Sequence, residues 1–107
     1  MSIIEVSVAE LEAALVAGAR VVDVREADEY LSGHVAGAVH VPLGTVPDHV
    51  AVFQSDGPTY VICKVGGRSM RACQFLEQEG IATVNVAGGM LDWVAGGRPV
   101  VAGSVAS

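Results

Sequence analysis

The sequence is short of aromatic residues, basic residues and cysteines, and each shortage excludes a class of protein. Aromatic side chains make up only 5% of the 107 residues, so small aliphatic side chains have to fill the core. Six lysines and arginines stand against twelve acidic residues, and a net charge of -6 argues against a nucleic-acid-binding surface. Two cysteines, Cys63 and Cys73, are too few for a disulfide framework, and no histidine is spaced to complete a zinc site with them.

Long hydrophobic runs are also missing. No apolar stretch approaches the ~18 residues that span a bilayer, and the N-terminal segment lacks the basic region of a signal peptide. We therefore expect no membrane partner and a cytoplasmic location, which the low cysteine content fits. Hydrophobic residues at 51% exclude a disordered chain. The length fits a single domain over residues 1–107, with a tail at 102–107 that we expect to fray.

Apolar runs alternate with turn signals along the chain. Ser7 and Glu10 form a capping box for a first helix that Gly18 closes. Further helices are predicted at 26–31, 45–53 (with Thr45 as N-cap), 68–79 and 90–95, and strands at 20–24, 38–41, 59–63 and 83–86. Strands that alternate with helices indicate an α/β domain with a mainly parallel sheet, in which ligands bind beyond the carboxyl ends of the strands.

The segment CKVGGRS, from Cys63 to Ser69, leaves the end of a predicted strand and leads into a helix. Its glycines let successive backbone N–H groups turn inward, and the helix adds its unpaired N-terminal amides. Lys64 and Arg68 add positive charge. In this setting the pKa of Cys63 should fall from about 8.5 toward ~4–7, so that the residue is a thiolate at neutral pH. The same bowl would hold an anion such as thiosulfate, or the terminal sulfur of a persulfide.

Two other interpretations of this loop compete with a reactive thiol. Cys63 could be an inert residue at a strand end, as free cysteines often are, but a glycine-rich loop with an arginine argues against that. A nucleotide-binding phosphate loop would end in Gly-Lys-Ser or Gly-Lys-Thr, and this segment ends in Gly67-Arg68-Ser69. The reactive thiol is therefore the preferred interpretation.

Three blocks of sequence follow one another in a fixed order. The first holds VDVREADEY at 22–30, GHVAGA at 33–38 and Val41-Pro42; the second is the loop at 63–69; the third holds Gly88-Gly89-Met90, Trp93 and GRPV at 97–100. Together they resemble a single-domain rhodanese, a member of the sulfurtransferase superfamily, and the resemblance covers residues 20–101.

The resemblance implies a central parallel five-stranded sheet with helices on both sides, and a function in sulfur transfer. Cys63 would carry sulfane sulfur as a persulfide, taken from thiosulfate or a low-molecular-weight persulfide and passed to cyanide or a thiol. No metal or organic cofactor is implied. The persulfide anion would be cradled by the amides of five loop residues, Lys64, Val65, Gly66, Gly67 and Arg68.

Three alternatives stay open beside the enzyme. A non-enzymatic sulfur carrier or persulfide-sensing module, acting through a protein partner, would need the same loop. A purely structural interaction domain is disfavoured because such rhodanese-like domains often lack the loop cysteine. A phosphatase or arsenate reductase is also disfavoured: four residues separate Cys63 from Arg68, whereas the dual-specificity phosphatases of the cell-cycle type that share the fold have one more.

Several residues around the loop have candidate supporting roles. Asp23 and Arg25 lie on one face of a strand end, where a structural polar network is favoured over direct catalysis. Ser69 ends the loop, and Trp93 is expected to pack near it or to form one wall of the site. Arg68 could bind an oxyanion with both arms of its guanidinium or hold the loop through backbone carbonyls.

The second cysteine and the histidines favour structural interpretations. Cys73 has the helical spacing of a buried residue, which is preferred over a resolving thiol for Cys63. His34 is expected in a structural turn rather than as a general base, and His40 and His49 have no evident partners in the sequence.

Overall fold

The computed structural model describes residues 3–104, and strands and helices alternate along them as the sequence predicts. The strands are β1 (Ile4–Val6), β2 (Arg20–Asp23), β3 (Val39–His40), β4 (Thr59–Ile62) and β5 (Thr83–Val86). The α-helices are α1 (Val8–Val16), α2 (Ala27–Ser32), α3 (Gly67–Gln78) and α4 (Gly89–Ala95), and two 3₁₀ helices cover Leu43–Asp48 and Val50–Phe53.

The five strands form one parallel sheet in the order β1-β5-β4-β2-β3. This confirms the α/β architecture and the five-stranded sheet that the resemblance implies. Four strands agree with the runs picked out in the sequence. The fifth, β1, was not singled out there, because it has three residues, lies at the sheet edge and leaves Ile4 66% exposed, so it carries no buried apolar run.

Two hydrophobic cores cover the two faces of the sheet, because strand side chains alternate between faces. Val22 and Val61 point to one face, against α3 and the 3₁₀ helices. Val21 and Ile62 point to the other, against α1, α2 and α4. The helices therefore lie on both sides of the sheet, and none of those described between residues 3 and 104 is long and apolar enough to span a membrane.

The first helix begins as its sequence predicts. The Ser7 hydroxyl accepts a hydrogen bond from the Glu10 N–H at 3.1 Å, and the Ser7 N–H donates to a Glu10 carboxylate oxygen at 2.9 Å. These reciprocal bonds satisfy backbone donors that the first turn would otherwise leave unpaired. The capping box is confirmed.

The predicted helix over 45–53 is wrong. The chain forms two 3₁₀ helices there, separated at His49, and Thr45 lies inside the first of them rather than at its N-cap. The Thr45 hydroxyl instead donates to the Pro42 carbonyl at 2.8 Å. The difference follows from where the helix begins. It starts at Leu43, two residues earlier than predicted, so Pro47 lies inside it rather than in its first turn and has no N–H to donate to the carbonyl four residues earlier.

The end of the described chain returns to the body of the protein. Val101 and His34 exchange two backbone hydrogen bonds of 2.9 Å in an antiparallel bridge, and the Gly103 N–H donates to the Leu31 carbonyl at 2.8 Å. These bonds attach the start of the segment predicted to fray at 102–107. Residues 105–107 of that segment lie outside the described residues.

Candidate active site

Cys63 lies at the carboxyl edge of the sheet, directly after the central strand β4. The residue is only 1% exposed, and its Sγ accepts hydrogen bonds from the Gly66 N–H at 3.1 Å and from the Ser69 hydroxyl at 3.2 Å. The loop therefore curls back on the sulfur, with donors pointing inward as its glycines predict.

These donors make the Cys63 thiol more acidic than usual. Burial works against ionisation, but hydrogen bonds outweigh it and hold the pKa of Cys63 below its ordinary value. Among the lowering contributions the Ser69 hydroxyl is the largest, followed by the backbone amides of Ser69, Gly66 and Val65. The predicted direction is confirmed, and its leading cause is the hydrogen bonding of the loop rather than the charge of Lys64 or Arg68.

Gly66 is the residue that allows the loop to turn into α3. Its φ of 109° lies in the left-handed region, and a Cβ at this position would already touch the Gly88 backbone nitrogen at 3.5 Å. Its carbonyl accepts hydrogen bonds from the Met70 N–H (3.1 Å), the Ser69 hydroxyl (3.2 Å) and the Asn85 amide (3.3 Å). The peptide that directly follows the donating N–H of Gly66 is thus held by three hydrogen bonds.

The start of α4 holds the other end of the loop. The N–H groups of Met90 and Leu91 donate to the carbonyls of Cys63 (2.8 Å) and Lys64 (2.9 Å). Gly89 permits this approach, since a Cβ there would collide with the Cys63 carbonyl oxygen and lie 2.6 Å from that of Lys64. The start of α4 is therefore a contact surface for the active-site loop.

Arg68 does not bond to the backbone carbonyls of the loop, which was one of its two predicted roles. Its guanidinium forms a two-pronged salt bridge with Glu29 of α2, at 2.7 and 2.9 Å. This pairing lowers the pKa of Glu29 to about 2 and raises that of Arg68. The reason is geometric, because α2 presents a carboxylate whose two oxygens match the two arms of the guanidinium.

Asp23 and Arg25 form the polar network that the sequence favours. Asp23 is fully buried and binds the Arg25 guanidinium, with Nη2 and Oδ2 2.7 Å apart, while the Arg25 N–H also donates to Oδ1 at 3.0 Å. The guanidinium also donates to the Gly33 carbonyl at 2.8 Å. The pair therefore links the end of β2 to the turn after α2, as a structural tie beside the loop.

Trp93 and Cys73 lie in opposite cores. Trp93 is 4% exposed, belongs to the core shared by α1, α2 and α4, and donates its indole N–H to the Pro99 carbonyl at 2.9 Å. Cys63 and Cys73 both belong to the other core. Trp93 is thus a packing residue there rather than a wall beside Cys63. Burial raises the pKa of Cys73 to about 11, which makes it a poor nucleophile.

The histidines near α2 are structural. His34 is fully buried, donates from Nδ1 to the Tyr30 carbonyl at 2.8 Å, and stacks on the Tyr30 ring with centroids 3.7 Å apart. His40 stacks on the opposite side at 4.4 Å and donates from Nε2 to the Arg25 carbonyl. The structural interpretation of His34 holds, and His40 has partners that its sequence context did not reveal.

Two residues that support the loop were missed as site residues. Glu29 is the partner of Arg68, and Asn85 of β5 donates both to the Gly66 carbonyl and to the Glu5 carboxylate (2.8 Å). Asn85 is fully buried and stands between two valines of β5. That same signal drew attention to Asp23, and it would have found Asn85 as well.

Two surface clefts lie at the edge of the sheet opposite to Cys63. Both are lined by the turn at Ser55–Pro58, and their volumes are about 530 and 520 Å³. Within the described part of the chain no three His, Cys, Asp or Glu side chains cluster closely enough to hold a metal ion. The site thus consists of one acidic thiol in a narrow ring of hydrogen-bond donors.

Comparisons with known proteins agree with this geometry. A Bacillus subtilis protein with a provisional sulfurtransferase name, YtwF, is 37% identical over 101 residues, which cover 92% of this chain and 98% of the relative. The thiosulfate sulfurtransferase GlpE of Pseudomonas entomophila is 36% identical over 71% of each chain. The crystal structure of a rhodanese-related protein from Thermoplasma volcanium superposes with a TM-score of 0.84 at 33% identity, covering 92% of this chain and 97% of that one.

The family model named "Rhodanese-like domain" matches residues 7–96, which include every strand except β1 and the whole loop from Cys63 to Ser69. With this match, and with relatives of similar length and fold, the chain belongs to the rhodanese-like domain family.

Proposed function

We propose that this protein is a sulfurtransferase that carries sulfane sulfur as a persulfide on Cys63. The observation that carries the proposal is the pair of donors, the Gly66 N–H and the Ser69 hydroxyl, both within 3.2 Å of the Cys63 sulfur. They favour the thiolate, which is the nucleophilic form. The sulfurtransferase names of the relatives support the same class of reaction.

In the loading step, the Cys63 thiolate attacks the outer sulfur of thiosulfate. A new sulfur–sulfur bond forms, the sulfur–sulfur bond of thiosulfate breaks, and sulfite leaves with the bonding electron pair. The negative charge of the persulfide then lies on its outer sulfur. The loop amides of Lys64, Val65, Gly66, Gly67 and Arg68 are the proposed donors to that charge.

Charge at the mouth of the loop would help an anionic donor to approach. Lys64 is exposed, whereas the guanidinium of Arg68 is already engaged by Glu29. We therefore assign the attraction of thiosulfate to Lys64, and we assign Arg68 to the shape of the loop. Asp23, Arg25 and Ser69 are proposed to support the loop, and Trp93 to support the core behind α4.

In the discharge step, a thiophilic acceptor attacks the outer sulfur and the Cys63 sulfur leaves as a thiolate. With cyanide as acceptor the product is thiocyanate, and the enzyme returns to its starting state. The cycle requires no metal or organic cofactor. We further propose that residues 1–107 act as one domain, in the cytoplasm, without nucleic-acid or membrane partners.

Intact-mass spectrometry tests the cycle. Thiosulfate should add the mass of one sulfur, about 32 Da, to the wild type and nothing to Cys63→Ser, and a thiol reductant should remove it. Cys73→Ser is the matched control, since it removes the buried cysteine and should load normally. No added mass from thiosulfate, glutathione persulfide or mercaptopyruvate would contradict the proposal.

The fate of the loaded sulfur separates the enzyme from the carrier. Release of thiocyanate at the rate of sulfur uptake supports a transferase with small acceptors. Stable loading that cyanide or small thiols discharge only slowly would instead support a carrier that passes sulfur to a protein acceptor. Hydrolysis of an aryl phosphate that depends on Cys63 would favour the phosphatase alternative.

A further inference from the structure

The Ser69 hydroxyl lies within hydrogen-bond distance of two acceptors but has only one proton to donate. Ser69 is fully buried in the first turn of α3, and its Oγ lies 3.2 Å from the Cys63 sulfur and 3.2 Å from the Gly66 carbonyl oxygen. A serine hydroxyl can donate to one of these acceptors at a time. The hydroxyl should therefore donate to whichever of the two acceptors carries the greater negative charge.

The Gly66 carbonyl can give up the Ser69 hydroxyl without being left unpaired. The Met70 N–H, at 3.1 Å, and the Asn85 amide, at 3.3 Å, also donate to it. The sulfur is different, because its demand changes during a sulfur-transfer cycle. The free thiolate is negatively charged at Sγ, whereas in a persulfide the charge lies on the outer sulfur and Sγ is a weak acceptor.

We propose that Ser69 is a catalytic residue of the discharge half-reaction, where its hydroxyl turns from the Gly66 carbonyl to the departing Cys63 sulfur. This inference rests on the proposed function. An acceptor nucleophile forms a bond to the outer sulfur, the Sγ–S bond breaks, and its electron pair returns to Sγ. The hydroxyl then donates to the growing negative charge at Sγ, and its proton stays on Ser69.

The Ser69 hydroxyl should accelerate discharge selectively, because its hydrogen bond to the Cys63 sulfur strengthens only as negative charge develops on that sulfur. In the persulfide the hydroxyl is satisfied by Gly66, so the ground state gains nothing from Sγ. A thiolate that is better stabilised leaves faster, but it attacks less strongly, with a Brønsted coefficient of about 0.4–0.5. Loss of the hydroxyl should therefore slow discharge while leaving loading, counted per thiolate, unchanged or faster.

Single-turnover kinetics on wild type, Ser69→Ala and Ser69→Thr test this selectivity. Loading by thiosulfate is followed by quenched intact-mass spectrometry at a pH above the Cys63 pKa, and discharge of the loaded protein is followed by thiocyanate release. Ser69→Ala should discharge roughly three- to tenfold more slowly, the size expected for one hydrogen bond to a developing charge. Its loading per thiolate should be unchanged or up to about fivefold faster.

Ser69→Thr, which keeps the hydroxyl, should restore discharge toward the wild-type rate. Ser55→Ala, at the amino edge of the sheet, is the matched control for loss of a serine hydroxyl and should change neither half-reaction. If Ser69→Ala slows both half-reactions by the same factor, or slows neither, the selective role is refuted.

The same measurements distinguish a failure of this inference from a failure of the proposed function. A wild type that loads and discharges, together with an unselective Ser69→Ala, refutes only the role of Ser69. A wild type that never loads sulfur from any donor refutes both. If Ser69→Ala does not fold, Ser69→Val is compared with Ser69→Thr, which has the same shape and keeps the hydroxyl. Slower discharge in Ser69→Val alone supports the inference, and equal rates of the two variants in both steps contradict it.

Discussion

Gly89 offers a sharp test of how the loop is held. Replacing it with alanine adds one methyl group at a position whose φ of 52° lies in the left-handed region. That methyl would collide with the carbonyl oxygen of Cys63 and lie 2.6 Å from the carbonyl oxygen of Lys64. Both carbonyl oxygens are backbone atoms of the active-site loop, so the steric clash can be relieved only if the loop moves.

The cost of Gly89→Ala has two separable parts. The left-handed conformation costs an alanine about 1 kcal/mol. Moving the loop also weakens the two hydrogen bonds that the Met90 and Leu91 N–H groups make to it, each worth about 1 kcal/mol. The total is about 3 kcal/mol, which should lower the Tm of a domain of this size by roughly 12–20 °C.

Gly97→Ala is the matched control, because Gly97 also has a positive φ, of 76°, but open space where a Cβ would stand. It should cost only the conformational part, about 1 kcal/mol. Urea unfolding followed by Trp93 fluorescence measures both variants, since this sole tryptophan is buried. Gly89→Ala should also slow alkylation of Cys63 by iodoacetamide, which Gly97→Ala should not. Equal destabilisation by the two variants would refute the steric argument.

Three further predictions concern the neighbours of the loop. Glu29→Gln should lower the free energy of unfolding by about 1 kcal/mol at pH 7, because it removes the charged partner of Arg68. The pKa of Glu29 is about 2 in the folded protein against an ordinary value of 4.5, so in urea titrations the difference from wild type should be full above about pH 5 and vanish toward pH 2. A difference that does not depend on pH would contradict this. In native protein at pH 8, iodoacetamide should modify Cys63 alone, since burial raises the pKa of Cys73 to about 11; two modifications at equal rates by mass spectrometry would refute this. Asn85→Leu should shift the midpoint of the Cys63 alkylation profile to higher pH, because it removes the amide that holds the Gly66 carbonyl and so loosens the donors around the sulfur; an unmoved midpoint would count against a role for Asn85.

The fold was largely predictable because most of its elements carry strong local signals. β2 and β4 are short segments rich in β-branched residues, and α1 has a capping box, so their positions follow from short-range chemistry. The element that the runs did not reveal is β1, which forms through pairing with β5 rather than through its own sequence. The predicted α-helix over 45–53 is wrong because the chain begins its helical turn at Leu43, which places Pro47 where an α-helix needs a backbone N–H.

The site was predictable where it is local and not where it depends on distant contacts. Cys63 and the loop that surrounds it lie within seven consecutive residues, so the acidic thiol could be inferred directly from their chemistry. The partner of Arg68 is 39 positions away, and the Asn85 amide reaches the loop from 19 positions away. Nothing in the loop itself identifies these partners, because they are set by the order of strands in the sheet.

The residues that contact the Cys63 sulfur are different from the residues that hold the loop in place. The groups that touch the Cys63 sulfur come from the loop itself, whereas α2, α4 and β5 fix the loop from outside through Glu29, Gly89 and Asn85. Donors that are already oriented lose little free energy to reorganisation when charge moves onto or away from the sulfur. Glu29, Gly89 and Asn85 should therefore influence the reactivity of Cys63 mainly by positioning its two donors, the Gly66 N–H and the Ser69 hydroxyl. Substitutions at these three distant residues should raise the Cys63 pKa in proportion to how far they displace those donors from the sulfur.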